Sequence, residues 1–122
     1  MLDNTVAAIE SEEYFATVFN GTMIRGGFHL TVRVVSRIED DAVGHASQIG
    51  RNITVELLEG QELREFIITF WHEMVEIAAI NGASQAIALS HAGIEATAVA
   101  LADLYGAPTF RVLNLVLEAL GL

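Results

Sequence analysis

At 122 residues the chain can bury a hydrophobic core as one domain, residues 1–122, without covalent staples. It has no cysteine, which excludes disulfides, thiolate zinc sites and a cysteine nucleophile together. Hydrophobic residues make up 52% against 18% charged, which excludes a disordered chain, and a net charge of −10 with no lysine argues against nucleic acid or an anionic membrane as partner.

No run of 18 or more apolar residues occurs, and Met1-Leu2-Asp3-Asn4-Thr5 lacks the basic flank and apolar stretch of a signal peptide. The expectation is a soluble cytoplasmic protein. Residues 3–12 open with capping types and carry Val6 and Ile9, which suits a short helix. Tyr14 to Phe19 is aromatic and β-branched, and Asn20-Gly21 is a hairpin signal followed by Thr22 to Arg25. A hairpin is preferred here over the competing reading, one helix over 4–19 with Asn20-Gly21 as its cap.

Residues 28–38 alternate as a strand, with Phe28, Leu30, Val32 and Val34 on one face and His29, Thr31, Arg33 and Arg37 on the other. Glu39-Asp40-Asp41 with Gly44 reads as a turn or loop, and residues 49–58 as a second strand with Ile53, Val55 and Leu57 on one face. The short connection predicts antiparallel pairing of these two strands. Past Gly60 the period becomes helical: Leu63, Phe66, Ile67, Phe70, Met74 and Ile77 form a stripe, with Thr69, His72, Glu73 and Glu76 mostly off it. Asn81-Gly82 ends this helix, an alanine-rich helix over about 84–105 follows, and Gly106-Ala107-Pro108 stops it. The last helix, 109–120, is apolar over most of its circumference and predicts a homodimer through that helix. The fold class is therefore α+β: a hairpin or small antiparallel sheet over about 14–58, then three helices at about 61–81, 84–105 and 109–120.

The candidate chemistry lies on the helix over 61–81. His72 and Glu76 are four residues apart and project from one face, with Glu73 beside them, the layout of H-E-x-x-H with glutamate in place of the second histidine. Such spacing lets two ligands reach one metal while the residue after the first acts as base. The next helix offers His91 and Glu95, again four apart. Antiparallel packing across residues 81–84 would bring the two faces together, giving a metal set of His72, Glu76 and Glu95, with His91 as an alternative ligand.

The order of strand, acidic loop, second strand, Phe70-Trp71-His72-Glu73-Met74-Val75 and a later helix with Glu95 in Gly-Ile-Glu-Ala-Thr-Ala resembles the small zincin-like proteins of phages and prophages. That resemblance spans roughly residues 28–105. It implies zinc as cofactor, His72 as a ligand, Glu73 as the catalytic base and Glu95 as the third ligand. It departs from the family at Glu76, so either a divergent or an inactive zinc-dependent peptidase is expected, acting on a protein or peptide aligned along strand 49–58. The rival reading is a non-enzymatic acidic phage or mobile-element protein that blocks a basic surface of a partner macromolecule. His29 is expected on an exposed strand face, His45 in a loop and Trp71 in the core or an interface.

Overall fold

The computed structural model describes residues 2–122, with side chains from Val6 onward. In chain order the elements are helix α1 (Leu2–Val18), strands β1 (Thr22–Ile24), β2 (Phe28–Val35), β3 (Gly44–Ile49) and β4 (Asn52–Leu58), and helices α2 (Leu63–Ile80), α3 (Ser84–Ile87), α4 (His91–Tyr105) and α5 (Phe110–Leu120). This is an α+β domain: a mixed four-stranded sheet with five helices among the described residues. No helix among them is long and apolar enough to cross a membrane.

Residues 14–18 continue α1, with Phe19 just past its end, and do not form the expected hairpin strand. The reason is the spacing of Phe15 and Phe19, four residues apart, both fully buried against Phe70 of α2. Gly21 (φ 68°) then turns the chain into β1, so the competing helical reading of this segment holds. The side chains of Asp3, Asn4 and Thr5, expected to cap this helix, lie outside the described residues.

The sheet order is β1-β2-β4-β3. Contrary to the expected antiparallel pair, β2 and β4 run parallel, with Leu30 opposite Ile53 and Val32 opposite Val55. The connection needs no crossover helix because it contains a strand: β3 descends along the sheet edge, and the chain turns at Gly50 into β4, which inserts between β3 and β2. The strand expected over 49–58 is thus the interior strand β4, and residues 44–49, including His45, form an edge strand where a loop was expected.

Burial along β2 and β4 follows the expected alternation, with Phe28, Leu30, Val32, Ile53, Val55 and Leu57 turned to the core. Against that face lies α2, buried nearly all round, with Phe66, Phe70, Trp71 and Met74 at its centre. Phe15 and Phe70 meet at 4.5 Å between ring centroids, and such pairs contribute about 0.5–1.5 kcal/mol beyond their burial. Trp71 is a core residue whose Nε1–H donates to Gly106 O at 2.9 Å, and Tyr14 OH donates to Pro108 O at 2.9 Å. These two bonds fix the 106–108 turn and with it the C-terminal end of α4.

The helix expected over 84–105 is broken. After the single turn of α3, Ser90 takes an extended conformation and its Oγ accepts the Gly93 N–H at 3.1 Å, capping a new helix that begins at His91. Four helices, not three, therefore follow the sheet.

Candidate metal centre

α2 and α4 pack antiparallel. Arg64 meets Asp103, His72 meets Glu95, and His91 lies beside the His72–Glu76 turn, so partners move backward along α4 as they advance along α2. The four residues expected to share one locus, His72, Glu76, His91 and Glu95, are brought together.

His72 occupies the centre with only 17% of its side chain exposed. Its Nε2 lies 2.8 Å from Glu76 Oε1 and its Nδ1 lies 2.7 Å from Glu95 Oε2. The ring meets that of His91 edge-on, centroids 5.6 Å apart. Both ring nitrogens therefore face carboxylate oxygens. An imidazolium satisfies both, whereas a neutral ring leaves one nitrogen against an oxygen with no proton between them. That gap is filled by a proton or by a cation. Burial works against the charged ring, but hydrogen bonds to Glu95 and Glu76, with the charges of Glu76 and Glu73, outweigh it and raise the proton affinity above the ordinary histidine value.

One ligand atom from each of His72, Glu76 and His91 lies within 4.8 Å of the others, so this group can hold a metal ion. Around a tetrahedral zinc, ligand atoms stand about 3.4 Å apart. The His72–Glu76 pair, at 2.8 Å, must therefore open slightly to admit the ion while His91 closes in, which its exposed side chain can do by rotation. Two imidazoles and one carboxylate form a donor set that catalytic zinc sites use. It carries one negative charge, against two for the set His72, Glu76 and Glu95. In this geometry Glu95 holds the far nitrogen of His72, the position of a supporting carboxylate behind a metal-bound histidine.

Glu73, next to His72 and within range of the Glu76 charge, turns toward β3 and is 6% exposed, on a face the sequence pattern places off the apolar stripe. The reason is Gly44. A Cβ on Gly44 would stand 2.5 Å from Thr69 Cγ2 and 3.2 Å from Glu73 Cγ, so only glycine lets β3 close over this face. Burial, reinforced by the Glu76 charge, raises the Glu73 carboxyl above the usual range, with His72 and His45 offsetting part of that. The polar face is satisfied internally: Thr69 Oγ1–H donates to Glu65 O at 2.8 Å and is 3.0 Å from Gln61 Oε1.

β3 is held to α2 at its far end by a reciprocal amide pair, Asn81 Nδ2 to Gln48 Oε1 at 2.7 Å and Gln48 Nε2 to Asn81 Oδ1 at 2.9 Å. The Leu58 N–H donates to Val43 O, so the alternation of an antiparallel pair turns the backbone amides and carbonyls of Gly44, Ala46 and Gln48 toward the free edge. The expectation that an extended chain aligns along 49–58 is corrected accordingly, because β4 is paired on both sides and has no free edge. None of Gly44, Gln48 or Asn81 was marked by sequence reasoning as part of the site. The available signal was a glycine followed by small residues at alternate positions, Gly44 and Ala46, which marks close backbone approach. His29 is half-buried on β2, away from this cluster.

Compared with protein-family models, with curated proteins and with solved structures, the chain matches none.

Proposed function

We propose that the chain is a zincin-like metallohydrolase domain with a rebuilt ligand set, acting on peptide bonds. The observation that carries this reading is the convergence of His72, Glu76 and His91, in which His91 on α4 supplies the nitrogen that Glu76 lacks on α2. When bound, zinc would supply Lewis acidity at the scissile carbonyl. The other steps belong to side chains of this chain. Glu95 orients His72 through Nδ1. Glu73, whose buried carboxyl has a raised proton affinity, takes a proton from water and returns it to the departing amine. The free edge of β3 aligns an extended peptide through Gly44, Ala46 and Gln48.

The test is metal content after purification without chelator, followed by melting curves with and without added zinc. Bound zinc and a higher melting temperature, both lost in His91→Ala, are expected. No metal and no shift would reject the reading.

A further inference from the structure

We propose that Asn20, at the junction of α1 and β1, is a site of spontaneous covalent modification, where the side-chain amide is lost through a cyclic imide to give aspartate or isoaspartate. This inference stands apart from the hydrolase reading and involves no metal.

The chain carries two Asn-Gly pairs, Asn20-Gly21 and Asn81-Gly82. In each, the glycine has no side chain to shield its backbone nitrogen. That nitrogen, once its proton has passed to hydroxide, can attack Cγ of the preceding asparagine. A bond forms from Cγ to the glycine nitrogen, the bond from Cγ to Nδ2 breaks, and ammonia leaves. Water then opens the five-membered ring at either carbonyl. One opening leaves aspartate; the other routes the main chain through the side-chain carbonyl and leaves isoaspartate, one carbon longer. Since Cγ must first swing onto the glycine nitrogen, the fold decides which pair reacts.

Asn81 is held against that swing. Its Nδ2 donates to Gln48 Oε1 at 2.7 Å and to Ile77 O at 2.9 Å, and its Oδ1 accepts from Gln48 Nε2 at 2.9 Å. The Gly82 N–H donates to Ala79 O at 3.1 Å. Both the carbon to be attacked and the attacking nitrogen are therefore engaged, and β3 must part from α2 before they can meet.

Asn20 is exposed, and among the described residues only its backbone N–H, at 3.3 Å from Thr22 Oγ1, makes a hydrogen bond. The restraint on this pair is a single surface bond, from the Gly21 N–H to Thr31 Oγ1 at 2.9 Å. Bonds in exposed turns open at little cost, so Thr31 slows the reaction without preventing it. The product matters to the fold because two bonds stitch this junction to β2: Gly21 N–H to Thr31 Oγ1, and Val32 N–H to Phe19 O at 2.8 Å. An extra main-chain carbon between residues 20 and 21 separates their anchor points and strains the seat of buried Phe19.

The experiment holds the metal-free full chain at mildly alkaline pH, folded and in urea, and follows both pairs by peptide mapping with mass spectrometry and chromatographic separation of aspartate from isoaspartate. In the folded chain Asn20 should convert at least about tenfold faster than Asn81, and in urea the two should convert at similar rates. Thr31→Val should quicken loss at Asn20, and Gln48→Ala loss at Asn81, each by about threefold or more and each without effect on the other pair. Circular dichroism checks that both variants remain folded. The fraction carrying isoaspartate should melt lower by at least about 3 °C. Asn81 converting as fast as Asn20 in the folded chain would overturn the proposal. So would an Asn20 that stays intact in the folded chain while the urea-unfolded chain loses it. An unchanged rate in Thr31→Val would overturn the assigned restraint, and an isoaspartate form that melts with the intact chain would overturn the consequence for the fold. None of these outcomes bears on zinc content, so failure here is distinguishable from failure of the hydrolase reading.

Discussion

Glu95 Oε2 stands 2.7 Å from Nδ1 of His72, a residue 23 positions earlier on a different helix. The contact holds the ring so that Nε2 is turned toward Glu76, and it gives Glu95 a supporting place behind the His72, Glu76 and His91 trio.

Replacing that carboxylate by its neutral isostere tests the supporting role. Glu95→Gln is expected to lower zinc affinity by about 10–100-fold, measured by competition with a chromogenic chelator. The melting temperature of the metal-free protein should change little, since Glu95 is exposed. Complete loss of binding would make Glu95 a direct ligand, as the zincin resemblance implies.

Glu73→Gln separates catalysis from binding. The variant should keep its zinc and lose peptide hydrolysis by about 10²–10⁴-fold, read on a quenched fluorescent peptide library. A buried amide avoids the desolvation that a buried carboxylate suffers, so stability at neutral pH should be equal or higher. Function unchanged by this substitution, but abolished by charge reversal at residues 39–41 or 56–65, would favour the acidic blocking protein instead.

The pH dependence of the metal-free protein has a definite sign. His72 binds its proton more tightly folded than unfolded, so its contribution is full below the ordinary value of 6.5 and disappears as pH rises through the folded value. Glu73 is also raised, so its contribution is full below 4.5 and disappears as pH rises. Thermal melting should therefore show a stability loss from mildly acidic to neutral pH that is absent in a His72→Gln/Glu73→Gln variant. Added zinc should reverse the loss at neutral pH and fail to do so in acid, where protons hold the ligands. A profile identical in wild type and the double variant would contradict this.

Gly44→Ala tests the contact that buries Glu73. The new methyl would meet Thr69 Cγ2 at 2.5 Å, with strand backbone on one side and a short side chain on the other. A cost of about 1–3 kcal/mol by urea unfolding is expected, with faster hydrogen exchange along β3. An unchanged midpoint would show that β3 does not rest on α2 as described.

Much of the fold was legible from period alone. Alternation in residues 28–34 and 53–57, the helical stripe from Leu63 to Ile77 and the stop signals at Gly82 and Gly106 all coincide with observed features, because each reflects a local geometric repeat. Residues 14–19 misled because aromatic residues suit strands and helices equally, and Asn20-Gly21 serves a hairpin or a helix end. The burial of Phe15 and Phe19 on Phe70 decides between them. β3 escaped notice because Gly44-His45-Ala46-Ser47-Gln48 has little β-branched or apolar content; its place comes from pairing with β4.

For the candidate site, the sequence by itself determined the spacing: His72 with Glu76, and His91 with Glu95, each pair on one helical face. Only the tertiary structure decided how the pairs meet. The capped break at Ser90 and the antiparallel crossing of α2 and α4 set His91 beside Glu76 and Glu95 behind His72. Likewise Glu73 reads as one more polar residue on a helix face until β3, admitted by Gly44, closes over it. Local spacing follows from the geometry of a single helix, but which atoms converge depends on where two helices and a sheet edge come to rest, and packing across the whole chain sets that.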